Sequence, residues 1–473
     1  MCALSVKRSE DFSRWYQAAV IEADLAERSS VRGCMVIKPW GYSIWENMQS
    51  ILDRKFKELG VRNCYFPLFI PVDLFAKETE HIEGFAKEMA IVTHSKLEKI
   101  DGKLVPTGPI EVPLAVRPTS EMIIGESFAK WVKSHRDLPL LVNQWCNVVR
   151  WEMRTRLFLR TMEFLWQEGH TAHETSEEAT EFAKMMHGVY NWFITDILKI
   201  PAIMGKKPDY ERFPGAVNTY TMEAMMQDGK ALQAATSHYL GQTFSKAVGI
   251  QFQGRNEQLQ FAYTSSWGIS TRIIGGLIMT HGDDEGINTP ISISPYHIVI
   301  IPIIKDEMSK NSIFEYCEKI RSVVNGNYRV LIDKTDELPQ NKKWDYIRKG
   351  VPIICEIGER DVSSDSVLFH RRQPNIEKLS CRFDEFEAKS SSILQEHDNT
   401  LYKKALAMNE EKTIRNIRTI EQAKEFFESG RTGFVVANWK ITKNDIEQLY
   451  EMGVSVRCSL IDSPEEFILA KAY

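Results

Sequence analysis

No two of the eight cysteines stand at Cys-x-x-Cys spacing; they fall at positions 2, 34, 64, 146, 317, 355, 381 and 458. A zinc knuckle or dithiol redox centre is therefore not expected, and packed, reduced thiols are the ordinary reading. The chain also lacks any apolar run of about 18 residues, so no spanning helix is expected. Its N-terminal stretch mixes Lys7, Arg8, Glu10, Asp11, Arg14, Glu22, Asp24 and Glu27 with apolar positions, which fits neither a signal peptide nor a transit peptide. A cytoplasmic protein without membrane attachment is the expectation. Excess positive charge is missing too: 64 acidic residues face 59 basic ones, a net charge of −5. That excludes a general polyanion coat, leaves only local basic patches for RNA, and gives no expectation of a DNA partner. No internal repeat or low-complexity tract is present. What remains is 473 residues, 43% hydrophobic and 26% charged, enough for about three domains at roughly 150 residues each.

Trp45, Met48, Leu52, Phe56 and Leu59 recur at three- and four-residue steps and predict an amphipathic helix over 41–59 that Gly60 ends. Another helix covers 10–28. Val61–Pro71 reads as a short strand at an edge or interface, because Pro67 and Pro71 limit its pairing. Prolines and glycines between 100 and 118 predict turn-rich chain, followed by a helix from Ser120 to His135. Leu140–Arg150 and Phe158–Gly169 predict an antiparallel hairpin around the charged turn Glu152–Arg156. A helix at 175–198, strand-like runs near 202–204, 216–224, 231–236 and 258–268, and a helix at 270–280 complete the first unit, which closes at the polar turn Gly282–Gly286. Strands 297–304, 328–332, 352–357 and 366–371 then alternate with helices 307–324 and 342–349, the pattern of a compact α/β domain. A long polar helix at 384–412 leads to a small unit, strands 433–437 and 454–461 around helix 443–451. The expected division is 1–285, 286–383 and 384–473.

Five short clusters carry residues suited to chemistry. Arg150 and Glu152 are two residues apart, and on a strand such residues share a face. The pair reads either as an exposed ion pair or as a guanidinium for a polyphosphate beside a carboxylate that accepts from an exocyclic amine. Phe164, Trp166, Glu168 and His170 likewise share one face, which suits a pocket for an apolar body with a charged end. His173 points to the other face, so a metal between His170 and His173 is not expected. Arg117-Pro118-Thr119-Ser120-Glu121 precedes a helix, where Thr119 or Ser120 serves as a cap or meets a substrate. Gln233–His238 and Ser266–Arg272 complete the set, and an arginine opening a helix that contains Gly275 and Gly276 is equally compatible with plain packing.

Taken in order, Gly41–Pro71, Arg117–Glu121, Asn143–Glu152, Glu163–His173, Gln233–His238 and Trp267–Arg272 resemble the class II prolyl-tRNA synthetases of the eukaryote/archaeon-like type, over almost the whole chain. The resemblance implies a mixed α/β (α+β) fold: an antiparallel-sheet catalytic core, an α/β anticodon-binding domain and a small C-terminal α/β domain. It implies a proline–tRNA ligase that uses ATP and Mg2+ to convert L-proline to prolyl-adenylate and pyrophosphate, then transfers the prolyl group to the 3′ end of tRNA(Pro). Gly41–Pro71 looks like the motif at the dimer interface, hence a homodimer. By the same resemblance Arg150 binds the α-phosphate, Glu152 the adenine amino group and Arg272 the γ-phosphate, with Gln233 and Thr236 near the nucleotide. Thr119, Glu121, Phe164, Trp166, Glu168, His170 and His238 resemble the proline pocket. Arg150 and Arg272 are the expected catalytic residues, acting by positioning and charge neutralisation, because an ionised carboxylate needs no general base to attack phosphorus.

Two family features are missing. Core elements account for the whole stretch between Arg150 and Arg272, which leaves no room for an inserted editing domain. Zinc-binding relatives use four cysteines in the C-terminal unit, whereas only Cys458 follows Cys381 here, so that unit is expected without structural zinc. Tyr473 matches the family's terminal tyrosine, its carboxylate expected near the active site. Arg360, Arg371, Arg372 and Lys378 are candidates for phosphate contacts with tRNA, or form a solvated charged face. Two alternatives stand beside this reading: another class II aminoacyl-tRNA ligase, for threonine or serine, and a noncatalytic synthetase-like tRNA-binding or regulatory protein. The aromatic face Phe164–His170 argues against the first, and Arg150, Glu152 and Arg272 against the second.

Overall fold

The computed structural model describes residues 4–75, 89–324 and 326–473; Cys2 lies outside the described residues. An 11-stranded sheet runs, edge to edge, through Thr413–Ile414, Phe434–Ala437, Phe467–Lys471, Val454–Leu460, Ala202–Lys206, Asn218–Met225, Ala231–Gly241, Tyr263–Ser270, Glu163–His173, Leu140–Val149 and Arg62–Asn63. Only the two outermost pairings are parallel. The C-terminal strands join the rest where Ser459 and Leu460 pair with Lys206 and Gly205, so the last unit extends this sheet rather than standing apart from it.

Two helices bury their apolar faces against the sheet. Pro39–Glu58, with proline in its first turn where no N–H is needed, buries Trp45, Met48, Leu52 and Phe56. Trp45 meets Trp145 and Phe56 meets Trp267 edge-on, with ring centroids 5.7 and 6.0 Å apart. Ser176–Trp192 starts at Thr175, whose hydroxyl accepts from the Glu178 N–H, and buries Phe182, Met186, Val189 and Tyr190. Each such side chain contributes about 1.5–3 kcal/mol by leaving water.

A second sheet orders Val330–Ile332, Ile298–Pro302, Ile353–Ile357, Ser366–Arg371 and Glu377–Arg382. Its first three strands are parallel and the rest antiparallel. Ile298 and Ile300 face one core, Val299 and Ile301 another, which is why this strand is an unbroken apolar run.

Elsewhere the local sequence signal misleads. Residues 100–118 are mostly the strand Lys103–Val116, paired with Ala90–Ile100. Pro106 and Pro109 are tolerated because, among the described residues, the strand meets Phe69–Pro71 only at Leu114–Val116, with no other strand along that side. Val61–Pro71 is split between two sheets, Arg62–Asn63 in the large one and Phe69–Pro71 in a three-stranded one, with Pro67 in the gap. The strand expected from Phe158 begins at Glu163; Phe158 itself has φ of 61°, outside the extended region.

Candidate active site

A cavity on one face of the large sheet is lined by Thr119, Glu121, Arg150, Phe164, Trp166, Glu168, His170, Gln233, Thr236, His238 and Arg272, all but one of the residues expected at the nucleotide and the proline. The exception, Glu152, lines an adjoining cavity with Arg150, Arg160, Ser270 and Arg272. Strand alternation presents Phe164, Trp166, Glu168 and His170 together. Between them, Gly169 leaves the space that the Trp267 ring occupies on the opposite face; a Cβ there would lie 2.0 Å from the indole.

One end of the cavity is built around carboxylates. Glu168 is buried and fully engaged: Oε1 accepts from Ser120 Oγ at 2.5 Å and Gln144 Nε2 at 2.6 Å, and Oε2 lies 2.9 Å from His170 Nε2. Burial opposes its charge, but His170, Ser120 and Gln144 outweigh burial and hold its pKa below the usual value. Burial likewise opposes a charged His170, yet the Glu168 hydrogen bond and the charges of Glu168 and Glu121 raise its pKa. Glu121 opens the helix Glu121–Trp131, and its Oε2 accepts from Thr119 Oγ1 at 2.5 Å. Glu121 and Glu168 thus bring two carboxyl groups to this end of the cavity, which suits a cationic ligand. His238 differs: burial first, then the charge of His170, pushes its pKa down to about 3, so it is neutral. Thr219 Oγ1 accepts from the Phe213 N–H at 3.1 Å and sits 2.9 Å from His238 Nδ1. That contact orients the His238 ring and leaves Nε2 facing away from Thr219.

The other end gathers guanidinium groups. Arg150 donates from Nε to the Pro118 carbonyl at 3.0 Å, and its guanidinium carbon stands 5.6 and 5.5 Å from the rings of Phe164 and Trp166. Arg272 donates from Nε to the Leu159 carbonyl at 3.0 Å. Gly275, one turn on, permits that approach, since a Cβ there would come within 2.5 Å of Leu159. Burial foremost, then the charges of Arg160, Arg150 and Arg457, lower the Arg272 pKa to about 10. It stays cationic at neutral pH, and this crowding of like charge favours a polyphosphate.

Glu152 reaches the site differently from the expectation. The strand Leu140–Val149 stops before Arg150, so alternation does not relate the two. Glu152 lies in the following turn, where Oε1 accepts from the Arg154 N–H at 2.7 Å and Oε2 is 3.8 Å from Arg160. Arg117 is buried and spends its donors on the Asn147 and Phe66 carbonyls and Asn147 Oδ1, tying the site's strands together. His173 pairs with Thr171 Oγ1 at 2.9 Å on the face opposite His170. Phe213, Thr219 and Ser266 also line the cavity. Phe213 and Thr219 belong to no motif that marks them in the sequence; Ser266 stands in a recognised cluster, and its buried hydroxyl has no partner among the described residues. The Tyr473 hydroxyl donates to Asp228 Oδ2 at 2.6 Å and its backbone N–H to the Ala231 carbonyl at 3.0 Å, beside the strand that bears Gln233.

Residues 110–281 match the family described as tRNA synthetase class II core domain (G, H, P, S and T), and residues 297–392 match the anticodon binding domain. The chain is 48% identical to the proline–tRNA ligase of Paramagnetospirillum magneticum, with 100% of this chain and 99% of that protein covered. It is 49% identical to the proline–tRNA ligase of Protochlamydia amoebophila, over 96% of this chain and 93% of that one. A crystal structure of prolyl-tRNA synthetase from Cryptosporidium parvum, complexed with halofuginone and AMPPNP, matches with a TM-score of 0.89 at 33% identity, covering 99% of this chain and 97% of that one.

Proposed function

The chain belongs to the class II proline–tRNA ligases, which join proline to its tRNA, and from that premise we propose the following division of labour among the residues of the cavity. Glu121, held by Thr119, receives the secondary ammonium of proline, and Phe164 and Trp166 wall its ring. His238 donates from Nε2 to the proline carboxylate. Glu168 acts one layer back: with both oxygens engaged, it fixes His170 rather than meeting the substrate. Arg150 neutralises the α-phosphate that the carboxylate attacks in line, and Arg272 holds the γ-phosphate that leaves within pyrophosphate. Glu152 accepts from the adenine amino group, with Gln233 and Thr236 beside the nucleotide. ATP is the substrate as its magnesium complex, whose ion adds charge neutralisation at the phosphates. The terminal ribose hydroxyl of tRNA(Pro) then takes the prolyl group.

The observation that carries this reading is one cavity lined by Glu121, by the Phe164 and Trp166 rings, and by Arg150 and Arg272. The division at 285 and 383 is supported by the separate five-stranded sheet within the middle segment. A homodimer is supported by exposed aromatic residues in the Gly41–Pro71 segment, Tyr42, Tyr65 and Phe69. A zinc-free C-terminal unit is supported by the placement of Cys381 and Cys458 in different sheets. The free thiols among the described residues fit a cytoplasmic location. A crystal structure with a nonhydrolysable prolyl-adenylate analogue tests the site: the ring nitrogen should meet Glu121 and the phosphate Arg150, and a ligand bound elsewhere or in reverse would overturn the assignment.

A further inference from the structure

Glu223 has no exposed surface, yet it sits on the cavity face of the large sheet. Along Asn218–Met225, Thr219 lines the cavity, and Thr221 and Glu223 follow it at steps of two. Thr221 pairs across the sheet with Thr236; the register then slips between Met222 and Glu223, which sets Glu223 opposite Gln233. Such a bulge re-aims the side chains around it and depends on what holds it. Here the holder comes from the far end of the chain. Arg457, on Val454–Leu460, donates from Nε to Glu223 Oε2 at 3.0 Å, while Lys207 Nζ lies 2.9 Å from Oε1 and Thr221 Oγ1 donates to the same oxygen at 2.9 Å. A buried group of two cations and one carboxylate is poor at adding stability, because desolvation offsets the attraction. Arg457 also feels the charge of Glu211, which lines the cavity, and is close enough to Arg272 to depress its pKa.

We propose that Arg457 is a positioning residue for ATP, acting through Glu223 and the bulge opposite Gln233, so that the C-terminal extension of the sheet completes the activation site. The proposal rests on the reading of the cavity given above. It is tested by proline-dependent pyrophosphate exchange with the full-length enzyme, varying ATP at saturating proline and proline at saturating ATP, with thermal unfolding of each variant. Arg457→Met should raise the KM for ATP about tenfold, and Arg457→Lys about threefold, with the KM for proline changed less than about twofold in both. Arg457→Met combined with Glu223→Gln should be no worse than the worse single variant, because the two act as a unit. Should Arg457→Met fail to fold, the selectivity of Arg457→Lys for ATP decides alone. Equal shifts for both substrates, or no shift for either, would overturn the proposal. Absence of proline-dependent exchange in the wild type would instead reject the reading of the cavity.

Discussion

Arg372, just past the strand Ser366–Arg371, and Asp283, just past the helix Arg272–His281, form a two-pronged ion pair: Nη1 lies 2.8 Å from Oδ2 and Nη2 lies 2.5 Å from Oδ1. Arg372 is only 3% exposed, so it ties the anticodon-binding unit to the catalytic core and does not offer its guanidinium to phosphate. Arg371 is engaged by Glu377 and Glu396, while Arg360 and Lys378 are exposed.

Arg372→Met should therefore destabilise the protein by about 1.5–3 kcal/mol, the cost of losing a charged hydrogen-bonded partner, measured by urea unfolding. Burial pushes the Asp283 pKa up, but Arg372, Asn288 and the Glu285 N–H outweigh it and lower it. A lowered folded-state pKa contributes stability that is present above the unfolded value of about 3.9 and lost as pH falls through the folded value. Wild type should thus lose more stability than Arg372→Met on acidification below about pH 4; equal losses would contradict the pairing.

Lys378→Glu and Arg360→Glu, by contrast, should weaken tRNA charging by several-fold, roughly 1 kcal/mol per phosphate contact, and leave proline-dependent pyrophosphate exchange intact. Loss of both activities together would point to misfolding instead of a tRNA contact.

For the buried Glu168–His170 pair the sign is reversed. The His170 pKa is raised, so its contribution to stability is fully present below the unfolded value of about 6.5 and is lost as pH rises through the folded value. Glu168→Gln should lower the His170 titration midpoint, followed by NMR of the imidazole, and raise the KM for proline about tenfold through a misplaced His170. An unchanged midpoint would sink the assignment.

Arg150→Ala and Arg272→Ala should each reduce kcat for pyrophosphate exchange by about 10²–10³-fold without loss of fold, as removal of a preorganised donor does. A change confined to the KM for proline would show that neither meets the phosphates.

Alanine lacks methylenes that the pocket can reward by only about 1–3 kcal/mol each. It should therefore support measurable exchange, and the purified enzyme should not hydrolyse alanyl-tRNA; hydrolysis in cis would reveal an editing site.

The residues of the cavity were legible because short-range rules placed them: alternation set Phe164, Trp166, Glu168 and His170 on one face, and motif order joined the clusters. What stayed hidden depends on long-range pairing. Nothing local shows that Glu168 has both oxygens occupied by Ser120, Gln144 and His170, or that the strand ends before Arg150. Nor does it show that Arg372 meets Asp283, far away in sequence, or that Val454–Leu460 would continue the catalytic sheet beside Ala202–Lys206. Strand pattern reports which face is apolar, and neighbours are chosen by the whole chain.

Pyrophosphate exchange with each of the twenty amino acids, at fixed ATP and magnesium, tests the central claim most directly. Proline should give the fastest exchange, with alanine well below it. Fastest exchange with threonine or serine, or none with any amino acid, would contradict a proline-activating site.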